Sequence, residues 1–167
     1  MRNTMKKTEA VSGPVVELAL QVLCDSATVP DEAQLQAWVS AALQGRRGDY
    51  EITLRIVGEP ESQAINKKYR CQDRPTNVLS FPADLPAGVD HPLLGDLLIC
   101  APLLEREAAA QGKEPQVHWA HLVIHGVLHL LGHDHRQADE AAKMEALETA
   151  ILASIGYPDP YEHTGEC

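Results

Sequence analysis

An α+β fold, built as a single-layer mixed four-stranded sheet packed with about five to six helices, is predicted by three observations. Four short strand-like segments lie in the first hundred residues, two of them alternating apolar and polar with period two. Apolar residues recur at helical spacing through most of the remainder. A length of 167 residues leaves room for one domain and little of a second. Hydrophobic side chains make up 44% of the chain and charged ones 23%, enough apolar surface for a real core. The order of the strands is not readable from this pattern.

Residues 1–14 form a polar start that reads as a flexible extension, and residues 162–167 read as a tail. VVELALQV (residues 15–22) alternates as a strand buried on one face. Pro30, Asp31 and Glu32 then open a helix with the stripe Leu35, Trp38, Val39, Ala42 and Leu43, which ends near Gly45. YEITLRIV (50–57) is a second strand, and EPESQAINKKYR (59–70), with Pro60 near its start, is a short helix. After the turn-rich CQDRPT, NVLSF (77–81) makes a third strand closed by Pro82. The proline-rich run to Pro92 is a loop. LLGDLLIC (93–100) is a fourth strand, in which Gly95 marks a bulge or a close approach. Helices are expected over 102–111, 116–131 and 136–155, the last with the stripe Met144, Leu147, Ile151 and Ile155, stopped by Pro158 and Pro160.

Cys24, Cys71, Cys100 and Cys167 contain no CxxC pair, so neither a disulfide framework nor a thiolate metal site is indicated, and a reducing cytoplasm fits. No apolar run approaches the ~20 residues that span a bilayer, and Gly13, Pro14 and Glu17 interrupt the first apolar stretch, which argues against export. The net charge of −10 excludes indiscriminate attraction to polyanions. Residues 46–74 nevertheless hold seven cations against five acids, which is either a local anion site or a less acidic solvated face.

Chemistry concentrates in a histidine-bearing helix. His118, His121, His125 and His129 step by three, four and four along an otherwise apolar segment, so the imidazoles share one face. In HGVLHLLGHDH (125–135), His125 and His129 lie one turn apart, Gly132 lets the chain leave the helix, and His135 returns beyond it. Two ligands from the helix and one from the turn can converge on one ion. Three imidazoles suit Zn²⁺ or a similar divalent metal and leave a position open for water, the arrangement of a catalytic rather than a structural site. His118, His121 and His133 read as structural, or as supports that orient the ligands from behind. Asp134 either orients an imidazole or caps the final helix. The helix is zincin-like in spacing, matching HExxHxxGxxH, but Gly126 stands where that pattern places its general base, so peptide hydrolysis is poorly provided for.

HGVLHLLGHDH resembles the signature of the bacterial YbeY endoribonucleases, the rRNA maturation factors. NKKYRCQDRPTNVLSFP (66–82), LLGDLLIC, HWAH (118–121), MEALE (144–148) and GYPDPY (156–161) resemble further family blocks in the same order. The resemblance covers residues 15–161, read here as a single metal-dependent endoribonuclease domain. His133 stands where the family often has tyrosine. The resemblance implies that His125, His129 and His135 hold one zinc ion and that Arg70 is the functional, catalytic arginine beside it. It further implies cleavage of single-stranded RNA, action at the 3′ end of small-subunit (16S) rRNA, and a part in ribosome quality control. The expected partners are rRNA, the small ribosomal subunit and its assembly factors.

Read from its own chemistry, Arg70 presents a planar fork that grips phosphate, or it is an exposed cation at a helix C-terminus. Lys67 and Lys68 either track an RNA backbone or form a solvated face. Asp96 either binds water or metal or serves a turn, and Trp119 and Phe81 read as core rather than stacking platforms. The alternative function is a ribosome-assembly binding module with a structural zinc, for which an acidic surface suits docking to basic proteins. A zincin-type metallopeptidase comes third.

Overall fold

The computed structural model describes residues 14–46, 48–83, 92–133 and 137–161. The extension, the tail, most of the 82–92 loop, Asp134 and His135 lie outside the described residues. Within them the elements run β1 (Val15–Val22), α1 (Glu32–Ala42), β2 (Asp49–Val57), α2 (Glu59–Arg70), β3 (Val78–Pro82), β4 (Leu93–Cys100), α3 (Ala101–Ala110), α4 (Pro115–Leu130) and α5 (Ala138–Ser154). The α+β class and the mixed four-stranded sheet are as expected. The strand order is β1-β2-β4-β3, with β1-β2 and β2-β4 parallel and β3-β4 antiparallel, so β3 forms one edge.

Alternation along the strands sorts side chains to two faces. Ile52, Leu54, Ile56, Leu97 and Ile99 pack with α1 and α4 in the main core around Trp38, Trp119 and Leu128. Val57, Leu79 and Leu98 point the other way, with Ile65 of α2 and Phe81. Helices α4 and α2 therefore cover opposite faces of the sheet. Asp31 caps α1 by accepting from the Gln34 amide at 2.9 Å, and Gln36 Nε2 donates to the Val16 carbonyl at 2.8 Å, tying the helix to β1.

The register slips between Glu51 and Ile52 where Gly95 sits in β4. Gly95 has φ +146°, and a Cβ there would lie 2.4 Å from the Phe81 carbonyl oxygen. Both the left-handed backbone and the close approach of β3 require glycine. Gly95→Ala is expected to cost about 3 kcal/mol or more, measured by urea unfolding. A loss below about 1 kcal/mol would show that the bulge relaxes freely.

The stripe expected for α5 is corrected at one residue. Met144 is buried and Ile151 and Ile155 pack half-buried against the main core, but Leu147 is exposed, and Glu148 and Leu152 are buried. Glu148 takes a core position because donors on other elements satisfy its carboxylate, so the charged residue and not its apolar neighbour turns inward.

Candidate metal centre

Helix α4 begins at Pro115, where a missing N–H costs nothing, and buries eleven of its sixteen residues. It ends in a Schellman motif: Gly132 is left-handed at φ +102°, its N–H donates to the His129 carbonyl, and His133 N–H donates to Leu128, each at 3.0 Å. That termination turns the chain away at Gly132, three residues beyond His129.

Along the helix, His118 and His121 are buried and His125 and His129 half-buried. His118 Nε2 meets Glu107 Oε1 at 3.0 Å, and Asn77 Nδ2 donates to the same oxygen at 3.0 Å. His121 Nε2 meets Glu148 Oε1 at 2.9 Å; Glu148 Oε2 engages His125 Nδ1, and Tyr161 Oη donates to Glu148 Oε1. The far nitrogens converge, with His125 Nε2 3.1 Å from His129 Nε2. Two imidazoles bound at 2.0–2.1 Å to a tetrahedral ion stand about 3.3 Å apart, so this pair is nearly at ligating separation. Separately, ligand atoms of His121, His125 and Glu148 lie within 4.8 Å of one another, a second arrangement that could hold a metal ion.

Electrostatics favour a carboxylate behind the imidazoles. Burial pushes the Glu148 carboxyl up, but the His121 and His125 donors outweigh it and bring it down to about 2. Glu148 is therefore ionised at neutral pH and can only accept. Burial lowers His121 despite the neighbouring carboxylate, and burial with the same carboxylate raises Tyr161. For Glu107, burial raises the carboxyl and the His118 and Asn77 donors more than offset it, so the net direction is down.

The structure separates the remaining expected site residues from this line of imidazoles. Arg70, Lys67 and Lys68 are exposed in the last turn of α2, on the opposite face of the sheet. Lys67 lies 3.9 Å from Asp73, Lys68 sits 5.2 Å from the Tyr69 ring centroid, and Arg70 makes no hydrogen bond or ion pair among the described residues. Arg70 is nonetheless held in place. Cys71 turns left-handed at φ 60° to stop the helix after it, while Ser62 Oγ donates to the Thr76 carbonyl and Asn66 Nδ2 to the Arg74 carbonyl, each at 2.8 Å, pinning the following loop. Asp96 is exposed, pairs in register with Phe81, and shares the face of Leu98 rather than that of α4. Trp119 is fully buried and Phe81 half-buried. His133 lines a hollow of about 300 Å³ with Arg46, Leu131 and Leu147.

Glu148, Tyr161 and Glu107 escaped the sequence reading as members of this cluster. The available signal was a glutamate in phase with Met144 and Leu152 on an amphipathic helix.

A mixed sheet backed by a helix whose imidazoles converge, with a buried carboxylate behind them, gives the chain a group of side chains that could hold a metal ion. The family model described as endoribonuclease YbeY matches residues 21–156. A curated relative named endoribonuclease YbeY from Pseudomonas putida (strain W619) is 59% identical over 88% of this chain and 94% of its own length. One of the same name from Pseudomonas entomophila (strain L48) is 55% identical over the same shares. A solution structure from Thermotoga maritima is similar over 89% of this chain and 99% of its own, at 22% identity and a TM-score of 0.49. The chain belongs to the YbeY family of endoribonucleases.

Proposed function

We propose that this protein is a zinc-dependent, single-strand-specific endoribonuclease acting in 3′-end maturation of small-subunit rRNA and in ribosome quality control, in the cytoplasm. The ion would be held by His125, His129 and His135, and Arg70 would grip the scissile phosphodiester. The observation that carries this reading is the 3.1 Å approach of His125 Nε2 to His129 Nε2 while a carboxylate occupies His125 Nδ1. A bound zinc ion supplies water of lowered pKa and polarises a phosphoryl oxygen.

The chain's own residues do the rest. Glu148 fixes the His125 ring, and Arg70 offers to a phosphate a guanidinium that has no competing ion pair among the described residues. β3 is the edge strand; Ser80 Oγ reaches the Gly126 carbonyl of α4 at 3.4 Å on one face, and Phe81 meets Tyr69, the neighbour of Arg70, on the other, with ring centroids 5.3 Å apart. One strand thus separates the arginine from the histidine helix, and a phosphodiester lying across that edge would be approached from both sides. Binding comes from phosphate contacts against an otherwise acidic chain, so it should weaken as salt rises.

The test is cleavage of labelled single-stranded and duplex RNA with and without chelator. Chelation is expected to stop cleavage and zinc to restore it, with single strands cut preferentially. Undiminished cleavage by metal-free protein would refute the zinc-dependent reading.

A further inference from the structure

We propose that Glu148 is a positioning residue: it holds His125 in the tautomer whose Nε2 faces the metal, and Tyr161 locks Glu148 in place. This rests on the ligand reading above and deepens it. The starting observation is a fully buried carboxylate with both oxygens committed, Oε2 to His125 and Oε1 to His121 and Tyr161. A neutral imidazole carries one N–H, and an ionised carboxylate only accepts. The proton of His125 therefore sits on Nδ1, and the lone pair on Nε2, the atom that lies 3.1 Å from His129. By the same logic His121 is protonated on Nε2, and its buried Nδ1 has no partner among the described residues. His121 serves the carboxylate rather than the ion.

The lock comes from the segment that follows α5. Lys113 Nζ donates to the Pro160 carbonyl at 3.2 Å, and the Tyr161 amide donates to Asp159 Oδ1 at 2.8 Å. These two bonds hold the segment after α5 so that the Tyr161 ring stands edge-on to His121, centroids 5.3 Å apart, with its hydroxyl on Glu148. The rival arrangement is an ion among His121, His125 and Glu148; because Nδ1 is the His125 nitrogen that faces the Glu148 carboxylate, an ion placed there would be held through Nδ1.

Zinc affinity of the full chain, measured by competition with a chromogenic chelator, tests this. In Glu148→Gln the amide oxygen can accept from His121 and Tyr161, which leaves the NH₂ facing His125 Nδ1 and forces the proton onto Nε2. Affinity is expected to fall about 10- to 100-fold, and by less in Tyr161→Phe. Ring ¹⁵N shifts of the zinc-loaded wild type are expected to show Nδ1–H and zinc on Nε2 of His125, a readout that needs no variant to fold. Zinc on Nδ1, or a folded Glu148→Gln protein with wild-type affinity, overturns the proposal. His129→Ala separates the two readings. If it loses zinc while Glu148→Gln does not, positioning alone fails; if it keeps zinc, the ligand set fails and the positioning role with it.

Discussion

The His125→Ala protein is expected to bind zinc more than 100-fold more weakly than wild type and to lose RNA cleavage in the same proportion. Removing a partner that orients a ligand typically costs about 10- to 100-fold in affinity, so removing the ligand itself must cost more. The geometry also predicts the side effect on folding. Glu148 loses the donor at Oε2 but keeps His121 and Tyr161 at Oε1. One hydrogen bond to a charged group is then missing, and the metal-free variant should be about 1.5–3 kcal/mol less stable than metal-free wild type. Zinc content by elemental analysis, chelator competition and cleavage should therefore be read well below the melting temperature. A variant that loses cleavage while keeping its zinc would show that His125 acts on the substrate rather than on the ion.

What the chain revealed in advance was what local spacing encodes. The line of imidazoles follows from steps of three and four residues, and the exit at Gly132 follows from glycine at a helix end; both depend only on neighbours in sequence. The strand order did not follow, because period-two alternation reports burial and not which strand lies alongside. Glu148 was missed for a related reason. Its partners lie 23 and 27 residues earlier on α4 and 13 residues later at Tyr161, and a glutamate on a helix reads as solvent-facing until those donors are known. Gly126 shows the opposite case, a residue whose significance was visible and whose cause was not. A Cβ there would lie 2.6 Å from Leu97 Cδ2, and its carbonyl sits 3.4 Å from Ser80 Oγ. The helix presses onto β4 and β3 at the position where a zincin carries its glutamate. A larger residue at this position requires the Leu97 side chain to move, and glycine itself offers no proton acceptor there.

Arg70→Glu should lower RNA cleavage by roughly 10³-fold while leaving zinc content and melting temperature unchanged. The magnitude starts from the ~10²–10³-fold lost when a single donor to a developing oxyanion is removed. Reversing the charge adds repulsion of the substrate phosphate, so kcat/KM should fall toward the upper end or beyond. The unchanged fold follows from the structure: Arg70 is exposed, ends α2 and makes no ion pair or hydrogen bond among the described residues, and surface changes of that kind stay within about ±0.5 kcal/mol. Zinc is untouched because the arginine lies across β3 from the histidine helix. Arg70→Lys sharpens the test, since lysine keeps the charge but lacks the planar fork. If two-point recognition of the phosphate matters, the lysine protein falls between wild type and the glutamate protein, with the loss in kcat rather than KM. If the residue only attracts RNA, lysine restores activity in full and the remaining difference vanishes at high salt. A glutamate protein that cleaves like wild type would remove Arg70 from the reaction and leave the phosphate grip to be sought on the α4 face of the sheet.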